Sequence, residues 1–269
     1  MISFSKYHGC GNSFIIVDYE EVKNEVLSNL AYYVCNRDVG IGADGCIIVK
    51  KNPLEMLFYN QDGTMASMCG NGIRCFSKYV IDKQFVDSKV FDVITGAGVL
   101  SINCENDLYE VNMGEPFFDK TLLHIDDAID IEEFKLYGFD ICSVFMGTIH
   151  SVLFVDSFND IDIEKVGRMI CNDKMFKEKT NVNFVEVSNR TNLNVITYER
   201  GVGVSKACGS GCCASFVYAN KKGLVDDKVN VHLELGKLQI HWQDGCIVMK
   251  GPATFVAEGT FELKEIKLC

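Results

Sequence analysis

The sequence repeats Cys69-Gly-Asn-Gly72 as Cys208-Gly-Ser-Gly211, 139 positions further along the chain. The two copies share their upstream context, because Tyr59-Asn60 and Tyr198-Glu199 are each separated by eight residues from the cysteine that follows. Self-similarity at a constant offset is the sequence signature of an internal repeat. We therefore expect two similar halves, each carrying one cysteine motif at the same place in its fold.

Two further pairs of segments recur at an offset of 138. Gly9–Asp18 and Gly147–Asp156 share Gly, Ser, Val and Asp at equal positions, and Gly98–Ile102 resembles Gly236–Ile240. Short glycine-rich matches arise by chance, but several in the same order at nearly one offset indicate a duplication.

The repeat places the first half at residues 1–117 and the second at 118–254, with an acidic, irregular linker over 118–139. The stretch from Phe255 to Cys269 has no counterpart in the first half. Its apolar residues, among them Phe261, Leu263 and Ile266, alternate with polar ones, which is typical of a strand. We predict that this strand returns to the first half.

The apolar pattern predicts the same order of elements in each half: a strand, a helix, a second strand, and a further helix directly after the cysteine motif. Gly223 is expected to end the last of these helices. The predicted elements are strands at Phe14–Val17, Cys46–Val49, Val152–Val155 and Asn183–Val187, and helices over 22–36, over 163–173 and from each Cys-Gly-x-Gly motif onward.

The composition and net charge of the chain argue against some classes of function. Hydrophobic residues make up 48% of the 269 residues, which is enough for a packed core. The net charge of -11 argues against nucleic acid or an anionic membrane as a partner. The N-terminus shows no signal-peptide pattern and the chain has no apolar run near 20 residues, so we expect a cytoplasmic protein with a small-molecule partner.

The chain has 13 cysteines, an odd number with no pair at Cys-x-x-Cys spacing. Without a secretion signal, reduced thiols are the better expectation than disulfides, and the scattered histidines give no zinc pattern. We interpret six cysteines with apolar neighbours as small core residues: Cys35, Cys46, Cys104, Cys142, Cys171 and Cys246. No metal is expected.

The two Cys-Gly-x-Gly motifs suggest acid–base chemistry. A cysteine at a helix start feels the positive end of the helix dipole, which lowers its pKa, and the following amides can bind a carboxylate. Two copies related by a pseudo-two-fold would bring one thiol to either side of a substrate. Inverting an amino-acid α-carbon needs one base on one face and one acid on the other, with the carboxylate stabilised as charge develops.

Cofactor signals are weak in comparison. No lysine context or phosphate loop suggests pyridoxal phosphate, and the glycine-rich Gly40–Gly45 segment follows no clear strand, so it is not a dinucleotide fingerprint. We therefore expect the reaction to need no cofactor.

Taken together, the motifs resemble those of the diaminopimelate epimerase family from Lys6 to about Gly251. The resemblance implies an α+β fold of two pseudo-symmetric halves, each a curved mixed β-sheet around a central helix, with the active site in the cleft between them. It also implies a thiol/thiolate pair, no cofactor and often a homodimer. The motifs that carry it are Lys6-x-His-Gly-x-Gly-Asn12, Gly40-Ile-Gly-Ala-Asp-Gly45, Asn60-x-Asp-Gly63, Met68-Cys-Gly-Asn-Gly-x-Arg74, Asn181-Val-Asn-Phe-Val185, Glu199-Arg-Gly-x-Gly203 and Ala207-Cys-Gly-Ser-Gly211.

By position, the resemblance implies that Cys69 and Cys208 are the two acid/bases. The residues after each cysteine would offer backbone N–H groups to the reacting carboxylate, and a second set would hold the ammonium groups and far carboxylate of the substrate. The first set is Gly70, Asn71, Gly209 and Ser210; the second is Asn12, Asn60, Asn181, Glu199 and Arg200. We interpret His8 and His150 as core residues that satisfy backbone groups, outside the chemistry.

One departure concerns the substrate. The family usually has Met-Gly-Asn-Pro-His where this chain has Met146-Gly-Thr-Ile-His150, so Thr148 replaces an asparagine that touches the far end of the substrate.

The main interpretation is epimerisation of LL- to meso-diaminopimelate. The alternatives are a racemase of another amino acid such as histidine, a thiol redox protein in which Cys69 and Cys208 form a reversible disulfide, and a non-catalytic amino-acid-binding module.

Overall fold

The computed structural model describes residues 1–125 and 130–263, which fall into two compact units. The first unit comprises Met1–Val111 and Gly251–Cys269, of which 264–269 lie outside the described residues, and the second comprises Asn112–Lys250. The predicted returning strand is therefore described only in part, and its Ile266 lies outside the described residues. Both units mix strands and helices, as the α+β expectation requires.

The elements are numbered in chain order. The first part of the chain forms β1 (Ile2–Gly9), β2 (Asn12–Asp18), α1 (Tyr19–Val22), α2 (Leu27–Cys35), β3 (Gly45–Lys51), β4 (Leu54–Asn60), β5 (Met65–Ala66), α3 (Gly70–Asp82), β6 (Val90–Thr95), β7 (Gly98–Glu105) and β8 (Leu108–Asn112). It continues with α4 (Lys120–Leu123), β9 (Phe134–Leu136), β10 (Phe139–Phe145), β11 (Ile149–Phe154), a 3₁₀ turn (Phe158–Asp160), α5 (Ile163–Cys171), β12 (Asn181–Asn189), β13 (Asn192–Glu199), β14 (Gly203–Ser205), α6 (Gly209–Lys221), β15 (Lys228–Leu233), β16 (Gly236–Gln243), β17 (Cys246–Pro252) and β18 (Thr254–Phe261).

The two units share one strand order. In the first unit the strands run β18-β1-β2-β3-β4-β6-β7-β8, with β2/β3 and β4/β6 parallel and the other neighbours antiparallel. In the second they run β9-β10-β11-β12-β13-β15-β16-β17, with β11/β12 and β13/β15 parallel. The short strands β5 and β14 pair at equivalent places with β4 and β13. The duplication seen in the sequence is thus a duplication of topology.

A central helix follows each cysteine motif. Helix α3 packs on β1 and β2, and α6 packs on β11 and β12. Every residue of Gly211–Ala219 in α6 is buried. A helix covered on all sides must be apolar or small all round, and this stretch supplies glycine, cysteine, alanine, phenylalanine and valine. Gly223 takes a positive φ of 69° two residues after α6 ends, which confirms it as the helix stop.

The outer helices pack on the other face of each sheet. In the first unit, Leu30 and Val34 of α2 lie in a cluster with Ile15, Val17 and Ile48. In the second, α5 approaches β13 so closely that a Cβ at Gly167 would lie 2.5 Å from Tyr198 Cβ. Each sheet is therefore covered on both faces, which explains why the parallel strands read as continuous apolar runs.

Two boundaries differ from those expected from the sequence. The helix expected over 22–36 is α2, which begins only at Leu27; Val22 instead ends the short helix α1, and the intervening residues 23–26 are exposed and bury nothing against the sheet. The join between the units falls at Val111/Asn112, earlier than residue 117. Met113 N–H donates to Ile247 O and Ile247 N–H donates to Gly114 O, which ties this segment to the second unit.

No helix within residues 1–125 or 130–263 combines the length and the apolar character needed to cross a bilayer.

Candidate active site

Cys69 and Cys208 each occupy the N-cap of a central helix. Both have extended backbone angles, with φ of -139° at Cys69 and -120° at Cys208. The main-chain carbonyl of each accepts the first helical hydrogen bond, from Ile73 N at 2.8 Å and from Cys212 N at 2.9 Å. The first amides of a helix have no partner within it, so each thiol stands beside N–H groups suited to a carboxylate.

The fourth residue of each motif is glycine for a steric reason. A Cβ at Gly72 would lie 3.2 Å from Cys69 Cβ and 3.7 Å from its Sγ. A Cβ at Gly211 would lie 3.2 Å from Cys208 Sγ and 2.3 Å from Asn183 Oδ1. The sequence suggests that these glycines admit a ligand; the structure adds that they leave room for the cysteine itself.

In the first unit, Asn12 and Asn71 lie together. Asn71 Nδ2 donates to Asn12 Oδ1 at 3.1 Å, and Asn12 Nδ2 donates to Asp44 Oδ2 at 3.1 Å. Asp44 also accepts from Arg37 at 2.6 Å. The amide of Asn12 is thus held in one orientation by groups on either side of it.

Arg74 stabilises the start of helix α3 through hydrogen bonds. It is fully buried and donates to Gly70 O at 2.9 Å, to Asn71 Oδ1 at 2.8 Å and to Pro252 O at 3.2 Å. A buried guanidinium needs several acceptors, and here they are the groups that shape the first turn of α3. The sequence marks Arg74 as part of a motif, and the structure gives it this positioning contact.

Asn60 ends β4 opposite Gly45, the residue after Asp44. Its side chain donates to Thr64 Oγ1 at 3.0 Å and its main-chain N–H donates to Thr64 O at 2.9 Å. Asn60 therefore closes a turn and lies on the same edge of the sheet as the Asn12 and Asp44 pair.

In the second unit, antiparallel pairing of β12 with β13 brings Asn181 next to Arg200. The main-chain N–H of Arg200 donates to Asn181 Oδ1 at 3.0 Å, and its guanidinium donates to Glu178 O at 2.8 Å. Asn181 is buried, whereas Arg200 is exposed. Glu199, at the end of β13, is close enough for its charge to act on Cys208.

Cys208 is buried, and its pKa lies well above the ordinary value. Burial is the main cause, and the negative charge of Glu199 adds to it, while hydrogen bonds from Ser210 and the Gly211 amide act in the opposite direction. The expectation of a lowered pKa from the helix dipole does not hold for Cys208, because desolvation outweighs the dipole. Cys208 is held as a thiol, the form that can deliver a proton.

Thr148, at the turn before β11, is half-buried. Its hydroxyl oxygen is buried and has no hydrogen-bond partner within the described part of the chain, while its carbonyl accepts from Met146 N at 2.9 Å. A buried hydroxyl without a partner retains its capacity to donate or accept one bond.

His150 and Asn183 belong to the surroundings of Cys208, whereas the sequence predicts a core role outside the chemistry for His150. His150 is fully buried and bonds to Ser210 and Asn183, both side chains, so its partners are not the expected backbone groups. The repeat predicts this for His150, because His150 stands at the position of Asn12. Asn183 stands at the position of Gly45, where the first unit has no side chain to predict its role. His8, in contrast, accepts from the Gly11 amide as expected.

None of the other cysteines in the described ranges forms a disulfide. Cys35, Cys46, Cys142 and Cys171 are buried, as expected of core residues, whereas Cys104 and Cys246 are only partly covered. Residues 1–125 and 130–263 contain no cluster of three histidine, cysteine or acidic side chains suited to a metal ion.

The chain is similar in sequence to a family of known proteins. A family profile described as diaminopimelate epimerase matches residues 4–118 and 142–256. A diaminopimelate epimerase of Clostridium perfringens is 42% identical over 275 residues, covering 97% of this chain and 99% of the relative. One of Halothermothrix orenii is 37% identical over 281 residues, covering 98% and 99%.

A solved structure also matches the fold. A phenazine biosynthesis protein of the PhzF family from Bacillus anthracis superposes with a TM-score of 0.73 at 13% identity, covering 97% of this chain and 99% of that one. At this identity the likeness concerns the fold alone, and it agrees with the α+β architecture of two similar halves.

Proposed function

The chain belongs to the diaminopimelate epimerase family, and from that premise we propose that it interconverts LL- and meso-diaminopimelate with Cys69 and Cys208 as its acid/base pair. As a member of this family it is an isomerase. The observation that carries the proposal is the equivalence of the two cysteines, since each caps the central helix of one copy of a duplicated fold.

The proposed reaction is a two-base proton exchange at one α-carbon. The thiolate of one cysteine removes the α-proton, so that an S–H bond forms while the C–H bond breaks and its electron pair moves toward the carboxylate. The thiol of the other cysteine then delivers its proton to the opposite face, which leaves that cysteine as the thiolate. Burial and the charge of Glu199 favour the thiol form of Cys208 in the structure described. We therefore assign Cys208 as the proton donor in the direction in which the Cys69 thiolate acts as the base.

The carboxylate that gathers this charge is proposed to bind at the helix starts. The N–H groups of Gly70, Asn71, Gly209 and Ser210 precede any helical acceptor, and such amides stabilise charge where it develops. No separate electron sink is then required, which is the reason we propose a cofactor-independent reaction.

The far end of the substrate carries a second ammonium and a second carboxylate, and both need partners when they leave water. We propose that Asn12, Asn60, Asn181, Glu199 and Arg200 supply them. Arg200 can bind a carboxylate through two hydrogen bonds. The contact between Asn181 and Arg200 supports a shared role.

Thr148 favours a second candidate, a racemase of another amino acid such as histidine, because it replaces the family asparagine. The relatives named diaminopimelate epimerase, at 35% identity and above, favour diaminopimelate instead. We propose that the unpartnered Thr148 hydroxyl contributes one hydrogen bond to the far end of the substrate.

The test is a side-by-side measurement of kcat/KM with LL-diaminopimelate, L-histidine and L-glutamate, together with α-proton exchange in deuterated water. We expect LL-diaminopimelate to be turned over much faster than the other two. A higher kcat/KM for L-histidine would overturn the substrate, and absence of α-proton exchange with all three would overturn the epimerase proposal. Solvent exchange lost in Cys69→Ser ties the signal to the proposed site.

A homodimer and a cytoplasmic location complete the proposal. The family resemblance implies the homodimer, and bacterial relatives named diaminopimelate epimerase support the cytoplasmic location. Light scattering of the purified protein measures the oligomeric state directly.

A further inference from the structure

Four side chains form a continuous hydrogen-bonded series that ends at Cys208. Asn183 Nδ2 lies 3.2 Å from His150 Nδ1, His150 Nε2 lies 3.0 Å from Ser210 Oγ, and Ser210 Oγ lies 3.6 Å from Cys208 Sγ. Asn183 and His150 are fully buried, so water does not compete for these bonds.

The direction of donation follows from the partners of Asn183. Its Nδ2 also faces the carbonyl of Ser151 at 3.0 Å, and its Oδ1 accepts from Thr197 Oγ1 at 2.9 Å. A carbonyl can only accept, so the amide nitrogen must be on that side, and His150 Nδ1 must accept from it.

The proton of His150 is therefore on Nε2. Burial lowers the pKa of His150 to about 3, so the ring is neutral near pH 7 and has one N–H. With Nδ1 accepting, Nε2–H donates to Ser210 Oγ. The hydroxyl hydrogen of Ser210 then remains to donate, and Cys208 Sγ lies within reach of it.

The first unit contains the central bond of this series in an equivalent position. Asn71 corresponds to Ser210 and Asn12 to His150, and each pair is joined by a side-chain hydrogen bond. The next partner differs, since Asn12 bonds to Asp44 and His150 to Asn183, which is equivalent to Gly45. Donation runs the other way there, from Asn71 to Asn12 and on to the carboxylate of Asp44. The bond between the helix start and the strand beside it, kept in both copies with different side chains, is a built feature of the fold.

We propose that His150 is a positioning residue of the epimerase, which acts through Ser210: by donating to the Ser210 hydroxyl, it directs the hydroxyl hydrogen toward Cys208 and stabilises the Cys208 thiolate. The proposal deepens the proposed function and rests on it for the role of Cys208. Three other groups influence the same pair: Glu199 and Cys212 raise the pKa of Cys208, and Arg200 opposes protonation of His150.

The test compares His150→Phe, which keeps a ring without hydrogen bonds, with His150→Asn. Asparagine offers one acceptor and one donor, as Asn12 does in the first unit. Ser210→Ala removes the last link, and Ser210→Thr keeps the hydroxyl. His232→Phe is the matched control, because His232 is a histidine of the same unit that bonds to Asn192 at 2.9 Å, outside this series.

The primary readout is the pH dependence of Cys208 alkylation by iodoacetamide, mapped by mass spectrometry, which needs no substrate. We expect His150→Phe and Ser210→Ala to shift this dependence upward by about 1 unit, the size typical of losing a hydrogen bond to a charged group. The double variant should shift no further than Ser210→Ala, because His150 acts through Ser210. His150→Asn, Ser210→Thr and His232→Phe should stay close to the wild type.

The second readout is the pH profile of kcat/KM in both directions. The acid limb should move to higher pH only in the direction that uses the Cys208 thiolate as base. An unchanged alkylation profile in folded Ser210→Ala, or a His150→Asn variant that behaves like His150→Phe, would overturn the positioning role. If His150→Phe does not fold, the comparison of Ser210→Ala with Ser210→Thr and His150→Asn with the wild type decides it. Failure to turn over diaminopimelate would instead overturn the proposed function, and the alkylation result would stand.

Discussion

The backbone of Gly211 lies directly against the side chain of Asn183, so closely that a Cβ at Gly211 would stand 2.3 Å from Asn183 Oδ1. The same Cβ would lie 2.9 Å from Thr197 Oγ1. The glycine in the cysteine motif thus fixes the distance between the central helix and strands β12 and β13. It also protects the buried amide that orients His150.

Gly211→Ala should therefore be costly. We expect it to destabilise the fold by about 1–3 kcal/mol through overpacking, measured by urea unfolding. Gly72→Ala is the matched control, since its Cβ would meet Cys69 Cβ at 3.2 Å and Ile47 at 3.6 Å, contacts that a small shift relieves. Equal loss of stability in the two variants would contradict the close approach at Gly211.

Both proposed acid/base thiols, Cys69 and Cys208, should be required for turnover. Serine is far less acidic than cysteine, so Cys69→Ser and Cys208→Ser should each lower kcat by roughly 10²–10⁴-fold with the fold retained. Cys246→Ser, a partly covered cysteine outside both motifs, serves as the control and should keep its activity. Near-normal kcat in either motif variant would refute the two-base mechanism.

Glu199 should hold the Cys208 thiol in its protonated form. Because the charge of Glu199 raises the pKa of Cys208, Glu199→Gln should move the pH dependence of Cys208 alkylation downward by about 1 unit. Glu164→Gln, an exposed carboxylate paired with Arg168, is a suitable control. An upward shift in Glu199→Gln would show that its charge does not act in this way.

Buried His150 should make the protein sensitive to acid. Its pKa is about 3 in the folded state, against 6.5 for an ordinary histidine, so below 6.5 the unfolded chain binds a proton that the folded one does not. This contribution to stability is complete above the unfolded pKa and is lost as the pH falls. Between about pH 7 and about pH 4.5 the loss is about 2–3 kcal/mol.

The measurement is the free energy of unfolding at the two pH values for the wild type and for His150→Asn. The variant lacks the titrating ring and should lose less stability on acidification. Parallel losses would mean that His150 takes up its proton in the folded state near its ordinary pKa.

Arg200 should matter for diaminopimelate in particular. Arg200→Met should lower kcat/KM for LL-diaminopimelate through a loss of about 2 kcal/mol of transition-state stabilisation. This is the lower end for a lost charge partner, because the side chain is exposed. That corresponds to roughly thirtyfold. Arg190→Met, which removes an exposed arginine paired with Asp226, is the control. Unchanged kcat/KM in Arg200→Met would remove Arg200 from the substrate site.

Much of the architecture could be predicted because it depends on the spacing between residues, both the repeat offset and the apolar period. The offset between Gly9–Asp18 and Gly147–Asp156 predicts two copies of one topology, and the apolar periods predict β2, β3, β11, β12 and α5 close to their observed bounds. The helix expected over 22–36 begins only at Leu27, after the exposed residues 23–26, because a periodic pattern does not reveal where a helix loses its contact with the sheet.

The sequence by itself determined the duplication, the two cysteine helix starts and the family, since these depend on residue types at fixed intervals. Only the tertiary structure decided which side chains meet. Parallel pairing of β11 with β12 sets His150 opposite Asn181 and brings Asn183 to the imidazole ring, and packing around α6 buries Cys208. The raised pKa of Cys208 and the neutral state of His150 follow from desolvation, which is a property of the packed surroundings and has no local signature in the chain.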